Sequence, residues 1–286
     1  MDSAVPKISI VTPSYNQGRF LEETLESVRG QNYGAIEHLV IDGGSSDDSV
    51  EILKRCSGQP GWEHLRWISE KDRGQGDALN KGFRMATGEI FGWLNSDDTY
   101  AEGCFHRVAR EFNSKPEVQV LYGDYNWIDQ TGRVTQVRRE IDFSKFVLFY
   151  NRICFLQSSG ALFLKRTIFD RGYFLDERYH CATDYEFYLR LASNGIRFEH
   201  VREILGSFRW HAESKSTRDV QLALREFNAV QAQYAPALKG LHNSRLRAMV
   251  LAWLRVFATL LRWSEKMVHG YYFRQFQPAK SETETA

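Results

Sequence analysis

The chain has 286 residues, 43% of them hydrophobic and 26% charged, with a formal net charge of +1. That length suits one large α/β domain with an appendage, the composition is that of an ordinary globular protein, and a charge so near zero gives no case for nucleic acid as a partner. No run of about 18 uncharged apolar residues occurs that could span a bilayer. Met1-Asp2-Ser3-Ala4-Val5-Pro6 lacks a basic-then-apolar leader, so the expected location is the cytoplasm. Four cysteines without CxxC spacing (Cys56, Cys104, Cys154 and Cys181) read as reduced, buried residues.

In chain order, Lys7 to Thr12 is a short β-branched run ended by Pro13, which predicts a buried strand. Phe20, Leu21, Thr24, Leu25 and Val28 follow at helical spacing, up to about Gly30. Ile36 to Ile41 predicts a second strand, and Ser46 or Asp47 can cap the next helix, which carries Val50, Ile52 and Leu53. Leu65 to Ser69 is a third strand, and a helix from Asp77 ends at Gly88. Ile90 to Leu94 is a fourth strand, running into Asn95-Ser96-Asp97-Asp98. Short strands alternating with helices are the pattern of a mostly parallel sheet with crossover helices.

Beyond that point, Val118 to Tyr122 and Asn126 to Asp129 read as two strands. A turn at 130–133 leads into Val134 to Arg138. Asp142 to Tyr150 is aromatic and helical, Gln157 to Leu164 strand-like, and Tyr185 to Ala192 helical. Arg218 to Tyr234 predicts another helix, broken at Pro236.

Polar residues follow each of the first four strands: Tyr15, Asp42, Asp72, then Asp97 and Asp98. Parallel strands put those loops on one edge, where α/β sheets bind their ligands. Two adjacent carboxylates repel each other in a simple turn and make a good anchor for Mg²⁺ or Mn²⁺ shared with a substrate phosphate. The plain alternative is that Asp97 or Asp98 caps a helix starting near Glu102.

The ordered stretches Ile8 to Asn16, His38 to Asp47, Ser69 to Gly82, Gly88 to Asp98, Ala182 to Arg190 and Phe208 to His211 resemble the family-2 glycosyltransferases of the GT-A fold, over roughly residues 7 to 216. The resemblance implies a GT-A (Rossmann-like) domain over 1–216, with a nucleotide-sugar half at about 7–115 and an acceptor half at 116–216. A C-terminal helical extension with a polar tail then covers 217–286. It implies that Thr12, Pro13 and Tyr15 line the base pocket, that Asp42 bonds the base, and that Asp72 lies close to base and ribose. Asp97 would reach the ribose or the metal, Asp98 would ligate the metal on the diphosphate, and His211 would be a further ligand. Asp184 would be the general base of an inverting transfer; by position alone it could equally cap its helix. Gln157, Trp127, Tyr179 and His180 are the acceptor-facing candidates. The donor implied is a UDP-sugar, the cofactor a divalent cation, and the acceptor a saccharide or lipid-linked saccharide.

Three departures stand out. The metal motif reads Ser96-Asp97-Asp98 rather than Asp-x-Asp, Thr183 stands where many relatives carry Glu, and the Gln-x-x-Arg-Trp marker of processive synthases is absent. A sugar nucleotidyltransferase would want a longer Gly-rich basic loop after the first strand than Pro13 to Gly18 provides. A non-catalytic binding module would not need Asp97, Asp98 and Asp184 together.

Between Arg245 and Arg274 lie six Arg or Lys residues and one acidic residue, Glu265. Leu246, Val250, Trp253, Phe257, Leu260 and Met267 fall on one face of a helix spanning about Asn243 to Tyr271. Ala248, Arg255, Thr259, Arg262 and Lys266 fall on the other. A basic face beside an apolar one predicts docking on the anionic inner face of the cell membrane. The competing occupants of the apolar stripe are the protein's own core and a second copy in a homodimer.

Overall fold

The computed structural model describes residues 5–151, 155–156, 158–211, 220–238 and 240–271. The first half alternates as its pattern predicts: β1 (Ile8–Ser14), α1 (Gly18–Arg29), β2 (Ile36–Asp42), α2 (Ser49–Ser57), β3 (Leu65–Ser69), α3 (Gln75–Met85) and β4 (Ile90–Trp93). A two-residue β5 (Thr99–Tyr100) and α4 (Cys104–Ser114) close this half. The second half comprises β6 (Val120–Ile128), β7 (Val134–Arg138), α5 (Lys145–Tyr150), β8 (Leu162–Lys165), α6 (Thr167–Asp170), α7 (Thr183–Ser193) and β9 (Phe198–Arg209). Two further helices, α8 (Val220–Tyr234) and α9 (Ser244–Val268), follow.

One sheet holds the strands in the order β3-β2-β1-β4-β8-β6-β9-β5, with β7 also paired to β6. The β3-β2-β1-β4 part is parallel. The second half is mixed: β8 runs antiparallel to β4 and β6, while β9 runs parallel to β6. Alternate residues of β1 and β2 face opposite layers, as the two-residue period of a strand requires. Val11, Leu39 and Ile41 pack with Leu79 and Phe83 of α3, whereas Ile8 and Ile10 join Val28, Phe105 and Val108 of α1 and α4. The register sets Ser14, Asp42 and Ser69 side by side, so the carboxyl ends of β1, β2 and β3 are level. That level edge carries the functional loops.

Three elements differ from the sequence expectation. The two strands expected around Tyr122 and Asn126 are one strand, β6. Asp124, which reads as a break, is fully buried there because Arg139, the Glu140 amide and His200 Nε2 bond its carboxylate at 2.8, 2.8 and 3.0 Å. A paired buried carboxylate does not end a strand. Of the strand expected over 157–164, only its end forms β8, after a 3₁₀ turn at Ser159–Ala161. The long strand β9 is not foreshadowed beyond its last residues, because its burial follows no two-residue alternation.

The C-terminal helix buries cations of its basic face and leaves its apolar stripe outside. Arg262 and Lys266 are buried on Glu140, at 2.7 and 3.5 Å, and Arg255 bonds Asn228 and Gln231 of α8. Trp253, Phe257, Leu260, Trp263 and Met267 point outward, Trp253 with 72% of its surface exposed. The buried Glu140 carboxylate accounts for this, since an unpaired charge there would be costly and drawing in two cations offsets the cost. No helix among the described residues is long and apolar enough to cross a membrane.

Candidate active site

The β1–α1 and β2–α2 loops are laced together at the sheet edge. Asn16 N donates to Ser45 Oγ at 2.8 Å, Ser46 N to Asn16 Oδ1 at 2.9 Å, and Gly18 N to Asp47 Oδ2 at 2.8 Å. Asp47, one of the two expected caps, also accepts from Ser49 N at the start of α2. Tyr15 stands at the tip, largely exposed. Thr12 does not line the opening: it is fully buried, with Oγ1 2.9 Å from His38 Nε2, and Pro13 is buried beside it.

Asp42 sits at the end of β2 as expected, without exposed surface. Oδ2 accepts from Gly44 N, Ser45 N and Ser69 Oγ, and Oδ1 from Ser45 Oγ. A carboxylate holding four donors braces the loop from beneath. The neighbouring Asp72 is half-buried, with Oδ1 accepting from Gly74 N at 2.8 Å. It reaches the Asp42 loop because residue 43 is glycine: a Cβ there would lie 2.6 Å from Asp72 Oδ2. Gly74 is required for a second reason, its φ of 117° being open essentially to glycine alone.

The Asp97–Asp98 pair divides into two unlike carboxylates. Asp98 has no exposed surface and faces inward, accepting from Arg209 N at 2.9 Å, Ser159 Oγ at 3.2 Å and Asn95 Nδ2 at 3.3 Å. Burial, reinforced by the neighbouring Asp97 charge, pushes its carboxyl well above the usual range. Asp98 is thus enclosed and already bonded by three donors, which speaks against the expectation that it ligates a metal. Asp97 is partly exposed, and its Oδ2 lies 3.0 Å from His211 Nε2. Neither residue caps α4, which starts after Gly103 without a side-chain cap.

Residues to which the sequence assigns no role hold this pair in place. Arg209, almost fully buried, donates through Nε to the Asp97 carbonyl at 2.8 Å, through one terminal nitrogen to the Asp129 carbonyl at 3.0 Å, and through the other to Glu23 Oε2 at 2.6 Å. Its guanidinium also lies 4.9 Å from the centre of the Phe20 ring, and that ring packs on His211. Asn95 Oδ1 accepts from Gln75 Nε2 and Trp93 Nε1, both at 2.8 Å, tying the start of α3 to the metal-motif strand. Asn95 stands at the first position of an Asp-x-Asp pattern, a signal that could have drawn attention to it; Gln75 carried none.

Asp184 lies in the first turn of α7, with Oδ1 accepting from Tyr185 N at 2.7 Å. It is not the helix cap. The amides of His180, Cys181 and Ala182 all donate to Glu226 of α8. This turn rests against the loop ahead of α3 and the start of that helix: a Cβ on Gly74 would lie 3.9 Å from His180 Nδ1, and one on Gly76 would lie 3.5 Å from the Thr183 methyl. Of the acceptor candidates, Tyr179 donates to Gln233 and His180 is exposed. Trp127 stacks on Trp210 at 5.8 Å, beside His211. Gln157 lies outside the described residues.

Asp97 Oδ2 and His211 Nε2 are hydrogen-bonded to each other at 3.0 Å, a separation that two ligands of one cation also have. Adjacent ligands of an octahedral Mg²⁺ or Mn²⁺ with bonds of about 2.1 Å stand about 3.0 Å apart. Among the described residues no group of three or more His, Cys, Asp or Glu could enclose a metal by itself.

Residues 9–173 match the sequence pattern described as glycosyl transferase family 2. The chain is 36% identical over 194 residues to an uncharacterised glycosyltransferase of Mycobacterium tuberculosis strain H37Rv, covering 66% of this chain and 70% of that one. It is 30% identical over 204 residues to a PGL/p-HBAD biosynthesis glycosyltransferase of Mycobacterium bovis, covering 69% and 75%. Among solved structures, Staphylococcus aureus TarS 1–349 in complex with UDP-GlcNAc superposes with a TM-score of 0.64 at 17% identity, over 87% of this chain and 71% of that one. The mannosyltransferase PcManGT of Pyrobaculum calidifontis, in complex with GDP-Man and Mn²⁺, gives 0.62 at 19% identity, over 90% and 74%. These likenesses establish the GT-A arrangement of the fold.

Proposed function

We propose, from the premise that this chain belongs to glycosyl transferase family 2, that it is an inverting glycosyltransferase. Its donor is a nucleotide diphosphate sugar, with a uridine nucleotide the first candidate, and its acceptor is a hydroxyl of a saccharide or lipid-linked saccharide. The observation that carries the reading is the Asp97 carboxylate beside His211 Nε2 at 3.0 Å, at the end of the parallel strands and next to the Asp42 and Asp72 loops. Tyr15 and Asp72 are the groups that contact the nucleoside, over a floor built by Pro13, Thr12 and Asp42. Asp97 and His211 would hold a divalent cation, which would supply charge neutralisation for the leaving diphosphate.

The remaining chemistry belongs to side chains. A sugar hydroxyl is a weak nucleophile, and Asp184 accepts its proton as the new bond to the anomeric carbon forms. The bond from that carbon to the diphosphate oxygen breaks on the opposite face, so the configuration inverts. No second carboxylate is needed to protonate the leaving group, in contrast to glycoside hydrolysis. Trp127 and Trp210 offer a stacked aromatic surface next to the site for a sugar face.

The same reading puts the enzyme on a membrane surface through the outward apolar face of α9, which would bring a lipid-linked acceptor within reach. The deciding measurement for the donor is thermal stabilisation by UDP, GDP, dTDP and CMP, each with and without Mn²⁺. UDP and GDP head the panel because the solved neighbours bind UDP-GlcNAc and GDP-Man. A specific nucleotide at a hundredfold excess over Kd stabilises by about 2.7 kcal/mol. No cation-dependent shift with any nucleotide would overturn the donor assignment.

A further inference from the structure

We propose that Glu226, on the C-terminal helix α8, is a positioning residue for the transfer step, acting by holding the turn that aims Asp184. The proposal rests on the reading of Asp184 as the general base.

Three successive backbone amides, those of His180, Cys181 and Ala182, lie just ahead of α7 and point their N–H groups the same way. They converge on the Glu226 carboxylate at 3.0, 2.7 and 3.0 Å. Amides at a helix start lack intrahelical acceptors and need a partner. In most helices the partner is a local cap side chain, but here Ala182 occupies the cap position. Asp184 Oδ1 accepts from the adjacent Tyr185 amide. A carboxylate from 42 residues downstream of Asp184 therefore fixes the backbone that leads into the turn carrying Asp184. Burial opposes the Glu226 charge, but the three amides and His180 outweigh it and hold the carboxyl below its usual range.

The grip is specific to this end of α7 and is backed by further contacts from the same helix. Phe227 stacks on Tyr185 at 4.9 Å, Gln233 accepts from the Tyr179 hydroxyl at 3.2 Å, and Tyr234 donates to Glu186. On its other side the 180–183 turn meets Gly74 of the loop ahead of α3 and Gly76 at the start of that helix. The turn is thus fixed between α8 and the start of α3, and Glu226 is the one charged clamp on its backbone among the described residues. A base displaced by about 1 Å can cost 10²-fold in rate. Neither α7 nor α8 falls within the segment that matches the family pattern, so no role for Glu226 follows from that match.

The test uses the full chain as Glu226→Gln, Glu226→Ala, Asp184→Asn and the Asp184→Asn/Glu226→Gln double variant. Release of the nucleotide is followed with the nucleotide sugar that this protein turns over fastest, with water as acceptor. Glu226→Gln should lower kcat by about 10- to 100-fold while leaving donor KM and the nucleotide-dependent thermal shift as in the parent. Adding Glu226→Gln to Asp184→Asn should cost nothing further, because a residue acting through the base has no effect once the base is gone. Losses that multiply, a raised donor KM with intact kcat, or parent rates in Glu226→Gln would each overturn the proposal. Glu226→Gln keeps side-chain shape, so if only Glu226→Ala fails to fold, the Gln variant decides. Parent activity in Asp184→Asn would sink the base reading itself, a result distinct from any of these.

Discussion

Asp97 Oδ2 and His211 Nε2 are 3.0 Å apart although 114 residues separate them in the chain. The contact depends on Arg209, whose backbone N–H bonds Asp98 and whose side chain bonds the Asp97 carbonyl. One residue of β9 thereby fixes both members of the carboxylate pair and, two positions on, delivers the histidine. The adjacent aspartates consequently stand in unlike settings, Asp98 enclosed and Asp97 partly exposed.

Substitution separates the two. Asp97→Ala should leave the fold intact and abolish the Mn²⁺ dependence of nucleotide binding, as should His211→Ala in weaker form. Asp98→Ala strands buried donors from Arg209, Ser159 and Asn95, each worth about 1–3 kcal/mol. It should lower unfolding stability by on the order of 3 kcal/mol even without nucleotide. Denaturant titration and metal-dependent thermal shifts on the three variants decide this. An Asp98→Ala protein of parent stability that has lost its metal response would reverse the assignment.

Asp184→Asn preserves shape and removes the proton acceptor. Nucleotide binding should persist, and transfer should fall by about 10²–10⁴-fold. Proton NMR of the product should show an anomeric configuration opposite to that of the donor. Retention of configuration would exclude the single in-line displacement, whatever the variant's rate.

The first half of the fold was legible because its signals are local. β-branched runs, helical spacing and a polar residue after each strand need only a few neighbours to interpret. The unlike settings of Asp97 and Asp98 were not legible, because both follow the same strand and the difference is made by Ser159 and Arg209 far along the chain. Strand β9 hid for a related reason. It changes register against β6 on both sides of Asp124, so its buried positions follow no fixed period. Glu140 likewise decides which face of α9 is inner, and nothing in the helix sequence encodes the position of that carboxylate.

Lys266 links that helix to pH. Burial outweighs the attraction of Glu140 and brings its ammonium down to about 8, against about 10.4 in an unfolded chain. Between those values the unfolded chain holds a proton that the folded protein has released, so stability rises as pH increases through that window. The gain is on the order of 3 kcal/mol at most. Lys266→Met removes the titrating group and leaves Glu140 paired with Arg262 at 2.7 Å. Its stability should match or exceed the parent's at pH 7, and the advantage should shrink by pH 10. Parallel stability curves for the two proteins from pH 7 to 10 would show that Lys266 is not strained by its burial.

The outward face of α9 makes a prediction different from the one its sequence suggests. Read as a linear pattern, the helix offers lipid headgroups a row of cations, and vesicle binding would weaken at high salt. In the folded protein Arg262 and Lys266 are committed to Glu140, and Arg255 to α8. Apart from Arg245 in its first turn, the large side chains that remain outside are apolar, among them Met249, Trp253, Val256, Phe257, Leu260, Trp263 and Met267, along a 25-residue helix. Such a face exceeds the single scattered apolar residues usual on a soluble surface. Indole rings at two separate positions along it suit the boundary between acyl chains and headgroups. Binding should therefore be driven by apolar burial, at about 25 cal/mol per Å², and not by counter-charge. Full-length protein should float with zwitterionic phosphatidylcholine vesicles nearly as well as with anionic ones, and high salt should not release it. Trp253→Ser/Phe257→Ser/Trp263→Ser, which leaves every inward contact of Arg255, Arg262 and Lys266 in place, should stay folded and remain in the pellet fraction. Flotation that requires anionic lipid and fails in salt would return the role to the cations. A parent protein that ignores both vesicles and sediments as a dimer, becoming monomeric in the triple variant, would make a second copy the occupant of this face.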